Sequence, residues 1–311
     1  MKIRVLGSAA GGGFPQWNCG CFNCREGRRL GGRAKPRTQE SVAISADGES
    51  WFLINASPEI RAQIEACPEL WPKAERHSPI AGILLTNGDM DHCLGLLSLR
   101  ESHPLVLYAT DAVRAGFTEG NVLYRTLERF PGQVTWRRLE LGREQPLGGI
   151  GIGIGIGMTG GLRVTAIPAP GKLPVHLEGR GTPSSAEDSV GFMIRDGSGR
   201  AVAYFSGVAG PSPEIDQALN EAAVVFFDGT FWSSDELIAA GLGTKRADEM
   251  AHWPIGGPEG SLRFVSRPQG VLGIYIHVNN TNPILLEDSP ERRAVENAGL
   301  TVAYDGMELD L

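Results

Sequence analysis

Leu84-Leu85-Thr86-Asn87-Gly88-Asp89-Met90-Asp91-His92-Cys93-Leu94-Gly95 is the stretch whose reading decides the fold. Apolar residues run into Thr86, the polar Asn87, Asp89 and Asp91 alternate with Gly88 and Met90, and His92 follows Asp91 before a small apolar run. A buried strand delivers metal ligands into a loop in this way.

The stretch resembles the metallo-β-lactamase superfamily signature T-H-x-H-x-D-H-x-x-G laid over residues 86–95. Asn87 and Asp89 stand where the signature has its first two histidines, while Asp91 and His92 are in place. In that superfamily the first two histidines belong mainly to one metal site, and the Asp-His pair with a late C-terminal His builds the second. Asn is a poor neutral ligand, so the first site is weakened far more than the second. The late His is His277, where the apolar run 271–276 ends before a polar loop closed by Pro283. The resemblance therefore implies one catalytic metal on Asp91, His92 and His277, with Asp89 joining or replacing Asp91 as the carboxylate. The competing reading of His277 is a strand-end histidine bonded to a carbonyl.

A second departure points the same way. Related hydrolases carry a strand-end S-G-D whose Asp bridges two metals; here the match is Ser206-Gly207-Val208, and Val208 cannot ligate. A face of two His and one carboxylate with open positions suits non-haem Fe(II) and oxygen chemistry as well as zinc hydrolysis.

With 311 residues, 41% of them hydrophobic, the chain can bury a full core. Residues 1–311 are expected to form one domain. The net charge of -7 and pI near 5.5 argue against a nucleic-acid partner, since the only basic run is 25–37 (REGRRLGGRAKPR), which reads as a solvated loop or a holder of an acidic substrate. With no basic leader and no long apolar segment, a cytoplasmic protein without a membrane partner is expected. Homo-oligomerisation is left open.

Five cysteines is an odd number, and Cys19-Gly20-Cys21-Phe22-Asn23-Cys24 gathers three of them. In a chain with no export signal this spacing reads as a metal site, structural zinc, before disulfides: three thiolates converge from one loop that Gly20 allows to turn. Some relatives with this spacing use a His three residues after the catalytic C-terminal His. That position is Asn280, so the fourth ligand is Asn280, another side chain or water. Cys67 and Cys93 read as inert buried thiols.

Elsewhere strands and turns alternate. A strand from Lys2 to Leu6 runs into the Gly-rich loop 8–13, whose three consecutive glycines lack the spacing of a nucleotide fingerprint and read as a plain tight loop. Residues 41–45 and 51–55 read as a hairpin across Asp47-Gly48, and Ser57-Pro58 as the cap and first position of a helix. The run 94–99 reads as a helix. The Gly-Ile tract 148–157 reads as an irregular insertion, because Gly at every second residue costs backbone entropy and leaves one face empty. Strands follow at 163–167, 191–195, 201–205, 223–227 and 271–276, with helices near 214–220, 235–240 and 290–298. Strands in two halves with helices between them fit an α/β layered fold, the superfamily's αββα sandwich.

Asp228 follows the apolar 224–227 and His252 lies in a Trp-Pro-flanked segment; both read as pocket residues, balanced between acid/base or ligand-supporting work and plain capping. His176 reads as a vestigial ligand, and His77 and His103 as surface residues.

Taken together, residues 2–24, 84–101, 227–232, 252–254 and 277–283 resemble the coenzyme PQQ synthesis protein B family, the metallo-β-lactamase-fold member of the pyrroloquinoline quinone (PQQ) pathway. That resemblance implies an Fe(II)- and O2-dependent hydroxylation of the tyrosine ring in a peptide-derived precursor made by cross-linking Glu and Tyr. Two alternatives stand beside it: a non-catalytic carrier of PQQ or its precursor toward the periplasm, and a metal-dependent hydrolase. Zinc or copper in place of Fe(II) is compatible with the order of metal affinities. A substrate with several carboxylates needs cationic donors, and Arg100 or an Arg of 25–37 is expected to provide one; a plain Arg100–Glu101 surface pair, worth about 0–1 kcal/mol, is the alternative.

Overall fold

A computed structural model describes residues 1–119, 121–149, 161–179, 184–266 and 270–311. The expectation for the Gly-Ile tract falls mainly on residues 150–157, which lie outside the described residues.

Two seven-stranded sheets form among the described residues. In chain order, β1 (Lys2–Gly7), β2 (Ser41–Ser45), β3 (Trp51–Ile54), β4 (Ile80–Leu84), β5 (Leu105–Ala109) and β6 (Val134–Arg138) build the first. The second holds β7 (Glu144–Pro146), β8 (Arg163–Pro168), β9 (Val190–Arg195), β10 (Ala201–Phe205), β11 (Val224–Asp228), β12 (Leu272–Ile276) and β13 (Leu300–Val302). A last strand, β14 (Glu308–Asp310), returns to pair antiparallel with β1.

Side-chain alternation explains the layering. Along β11, Val224 and Phe226 enter the core between the sheets, whereas Val225 and Phe227 enter a second core with residues of the helices Pro213–Glu221 and Pro290–Asn297. Along β3, Phe52 and Ile54 face the shared core while Trp51 and Leu53 face the helices Ile60–Ala66 and Asp111–Thr118. Strands buried on both faces read as continuous apolar runs, and burying one side chain such as Phe226 contributes about 1.5–3 kcal/mol. The result is the αββα sandwich expected from the sequence. Parallel pairing of β3, β4 and β5, and of β10, β11 and β12, sends the polar segments after β4, β11 and β12 to one edge of the sandwich.

The hairpin forms because Asp47 Oδ1 accepts from Ser45 Oγ and from the backbone N–H groups of Glu49 and Ser50, closing a turn that Gly48 completes at φ +79°. Two local expectations are corrected. Ser57 does not cap the next helix, which starts at Ile60; its hydroxyl donates to Gln63 Oε1 at 3.1 Å. The segment Leu94–Leu99 is 3-10 and not α-helical. It is drawn against the backbone of Ala56 and Ser57: Gly95 N–H donates to Ala56 O, and a Cβ at Gly95 would sit 2.1 Å from Ser57 O.

Candidate metal centres

The strand β4 ends at Leu84, and the chain turns through Thr86 and Asn87 into the one-turn helix Met90–Cys93 that carries Asp91 and His92. β12 ends at Ile276 and hands over His277. Asp91 Oδ2, His92 Nε2 and His277 Nε2 form a nearly equilateral triangle with edges of 3.2, 3.3 and 3.5 Å. Donor atoms about 2.0–2.1 Å from one tetrahedral metal ion lie about 3.3 Å apart, so the triangle fits such an ion without rearrangement. Burial alone would push the Asp91 carboxyl up, but the neighbouring imidazoles of His92 and His277 hold it well below the usual carboxylate range. Burial opposes a charge on His92 too, yet Asp91 and Glu40 overcome it and raise His92 to about 9. His277 sits at φ +59°, a left-handed conformation that costs a non-glycine residue of order 1–3 kcal/mol. Backbone bonds from Val278 N to Ser8 O and from Gly229 N to Ile276 O pin the chain on either side of it.

Both histidines are wired from behind. Asp228 Oδ1 accepts the Thr230 hydroxyl at 2.6 Å, and Thr230 Oγ1 lies 2.8 Å from His277 Nδ1, so the ring's Nε2 is the nitrogen left for a metal. Asp228 Oδ2 accepts from Val208 N at 2.9 Å and lies 2.7 Å from His252 Nδ1. Asp228, His252 and His277 also have donor atoms within 4.8 Å of one another, but the Asp228 carboxylate is fully buried and already engaged at both oxygens. It orients two imidazoles and has no lone pair directed to an ion. The backbone of Val208, where a bridging Asp stands in the two-metal relatives, serves this carboxylate instead.

A web that sequence reasoning missed lies behind His92. Its Nδ1 is 2.7 Å from Asn55 Nδ2, 3.0 Å from Thr86 Oγ1 and 3.4 Å from Glu40 Oε2. Asn55, at φ +62°, also donates to Glu40 and accepts from Thr86 N. Burial pushes the Glu40 carboxyl up. The available signal was two polar residues, Glu40 and Asn55, bracketing the hairpin strands Ser41–Ser45 and Trp51–Ile54, both buried along their whole length.

A cavity of about 480 Å³ opens above the triangle, lined among others by Gly11, Gly12, Gln39, Phe231, His252 and Asn279. The Gly-rich loop is thus a wall of the site and more than a tight turn: a Cβ at Gly11 would sit 3.2 Å from Asp91 Oδ2. Asp89 is at the rim, outside the triangle, because its carboxylate turns to accept from Val175 N at 3.2 Å. Asn87 Oδ1 is taken by the Asp89 N–H. His176 also lines the cavity, with Nε2 2.9 Å from Gly116 O.

The arginine expectation is corrected. Arg100 is exposed beside Glu101; Arg25 and Arg28 donate to carbonyls of Gly20, Cys19 and Gln16; Arg33 pairs with Asp288 and Arg37 with Ala303 O. Arg25 and Arg28 thus brace the cysteine loop, and none of these arginines lines the cavity. Lys172 is the one Lys or Arg among the described lining residues, and it pairs at 3.3 Å with Glu178, itself well exposed.

The three thiols of Cys19, Cys21 and Cys24 converge within 4.8 Å of one another. Cys21 also caps the helix Phe22–Arg28 by accepting from Cys24 N. Asn280 Nδ2 lies 3.2, 3.8 and 3.4 Å from the three sulfurs, and half a turn of that amide brings Oδ1 to the same place. Asn23 Nδ2 donates to the carbonyls of Asn280 and Asn282, tying this helix to the loop after His277. Burial and the neighbouring thiols push Cys21 up to about 11, while Cys19, though also desolvated, is lowered by N–H and thiol donors. Thiols sharing protons in this way suit a soft cation that would ionise all of them. Burial pushes Cys67 and Cys93 up as well.

A family model described as Beta-lactamase superfamily domain matches residues 50–278. The chain is 42% identical over 314 residues to a Coenzyme PQQ synthesis protein B of Methylorubrum extorquens, with 100% of both chains covered. It is 44% identical over 319 residues to the protein of the same name from Methylobacterium sp. (strain 4-46), again with 100% of both covered. The chain belongs to the coenzyme PQQ synthesis protein B family. It matches the 1.98-angstrom crystal structure of Zn(2+)-bound PqqB from Methylobacterium extorquens at a TM-score of 0.90 and 41% identity, 100% of both chains being covered. The zinc in that family member accords with the imidazole, carboxylate and thiol donors clustered here. No helix among the described residues of this family member is long and apolar enough to cross a membrane.

Proposed function

We propose that this protein acts in PQQ biosynthesis as an iron- and O2-dependent hydroxylase of the tyrosine ring of a Glu-Tyr-derived precursor. The observation that carries this reading is the Asp91, His92 and His277 triangle, one carboxylate and two imidazoles facing an open cavity, with Asn87 and Val208 in place of the ligands a second metal would need. Fe(II) held by these three donors supplies the redox chemistry that activates O2. The chain's own residues do the rest. His252, with Nδ1 tied to Asp228, has Nε2 as the nitrogen available to hold or move a proton of the substrate ring, and Lys172 offers a cation to a substrate carboxylate. Cys19, Cys21 and Cys24, with Asn280 beside them, hold a structural zinc. Pairing of β1 with β14 supports reading residues 1–311 as one domain.

Turnover of a Glu-Tyr-derived substrate with Fe(II), in air and under argon, tests this reading. Product in air alone is expected. Equal turnover without oxygen favours the hydrolase reading, which the zinc in the crystallised relative supports. Tight binding of PQQ or its precursor without product under either condition indicates a carrier.

A further inference from the structure

The loop after His277 carries a run of hydrogen bonds that neither donor cluster uses. Glu236, at the start of the short helix Glu236–Ala239, is 9% exposed, and its Oε2 accepts the backbone N–H of Trp232 at 2.7 Å. Its Oε1 receives the hydroxyl of Thr281. Thr281 Oγ1 in turn accepts from Asn279 Nδ2 at 2.6 Å. Asn279 lines the cavity above the triangle, and its backbone N–H is fixed on Thr230 O at 3.1 Å.

With Glu236 ionised, as it is above about pH 7, the direction of this relay is forced. An ionised carboxylate can only accept, so Thr281 must give its one proton to Glu236. Thr281 can then only accept from Asn279, which must turn its NH2 toward it. The carbonyl Oδ1 is what remains for the cavity. We infer that Glu236, acting through Thr281, is a positioning residue that makes Asn279 present a hydrogen-bond acceptor to the bound ligand, selecting ligands with an O–H or N–H at that point, as a phenol ring has. The inference rests on the cavity being the ligand site, as proposed above.

Glu236→Gln inverts the relay at constant volume. Gln Oε1 must stay on the Trp232 N–H, so its NH2 faces Thr281; Thr281 then donates to Asn279 Oδ1, and the Asn279 NH2 turns to the cavity. The test uses the 311-residue chain, zinc-loaded, at about pH 8.5, above the value of about 7 to which burial pushes Glu236. Dissociation constants are measured for 4-hydroxyphenylacetate and 4-methoxyphenylacetate, which share a carboxylate and differ in the donor. The wild type is expected to prefer the hydroxyl probe by about three- to tenfold, the worth of one neutral hydrogen bond. Glu236→Gln should abolish or reverse that preference, and Thr281→Val should bring the ratio to about one. Adding Asn279→Asp to Glu236→Gln should restore the preference, because a carboxylate can only accept. An unchanged ratio in Glu236→Gln or in Thr281→Val overturns the inference. If neither probe binds the wild type, the ligand-site reading has failed, and exchange of the Asn279 side-chain amide protons, followed by NMR, judges the relay alone. Slower exchange in wild type than in Glu236→Gln is expected, and equal exchange overturns it.

Discussion

The two donor clusters draw on one loop, His277 for the first and Asn280 for the second, yet they are built in opposite ways. The thiols come from a local turn and short helix, with Cys19 and Cys21 half-buried and held mainly by nearby backbone and arginines. The imidazoles and carboxylate come from two sheets, are buried or nearly so, and are wired through Glu40, Asn55 and Thr86 on one side and Thr230 and Asp228 on the other. A closed set of soft donors on a short segment staples a loop; an open set of hard and borderline donors, held by distant strands above a cavity, leaves room for a substrate.

The sharpest way to break this contrast is His92→Ala. It should abolish product formation and remove the metal of the first centre while leaving zinc on the cysteines, as measured by metal content per chain; full activity would sink the assignment. Cys21→Ser should do the reverse, losing one zinc equivalent and lowering the unfolding temperature, with activity per correctly folded molecule retained; unchanged zinc content would count against the thiol site.

A pH series separates the centres further. In the metal-free protein His92 is raised to about 9, so a metal entering below that pH must displace its proton. Apparent affinity at the first centre should therefore rise by about tenfold per pH unit from neutrality toward pH 9 and then level off. Metal titrations that show no such rise would mean that His92 enters unprotonated.

The smallest effect expected is at the cavity wall. Lys172→Ala should raise KM for the carboxylate-bearing substrate by about two- to fivefold, the range for a partly exposed ion pair, with kcat little changed. Arg100→Ala should leave KM where it is. The opposite pattern would return the carboxylate to Arg100.

Much of this was legible in the chain itself. The strand β4 and its Asp91-His92 loop stand out because an apolar run gives way abruptly to ligating residues, and the cysteine site because three thiols in six residues need no distant partner to be seen. His277 was found as the one His following a late apolar strand. Glu40 and Asn55 escaped notice although they bracket the buried hairpin strands, and Lys172 because nothing in its immediate neighbours distinguishes a cavity-lining amine from an ordinary turn residue. Proximity in sequence misled for Arg100: it follows His92 by eight positions, but the 3-10 segment carries it to the surface.

By itself, then, the sequence determined the layered αββα fold, through apolar strand runs and their spacing, and singled out the candidate metal donors, through residue chemistry at strand ends. Only the tertiary structure decided which donors meet. Asp89 and Asp91 are equivalent as carboxylates and lie two residues apart, yet one bonds Val175 and the other completes a triangle with His277, 186 positions away. The reason is geometric: ligands from separate sheets converge only after both sheets pack on a common core, and local sequence carries no record of the angle at which they do so.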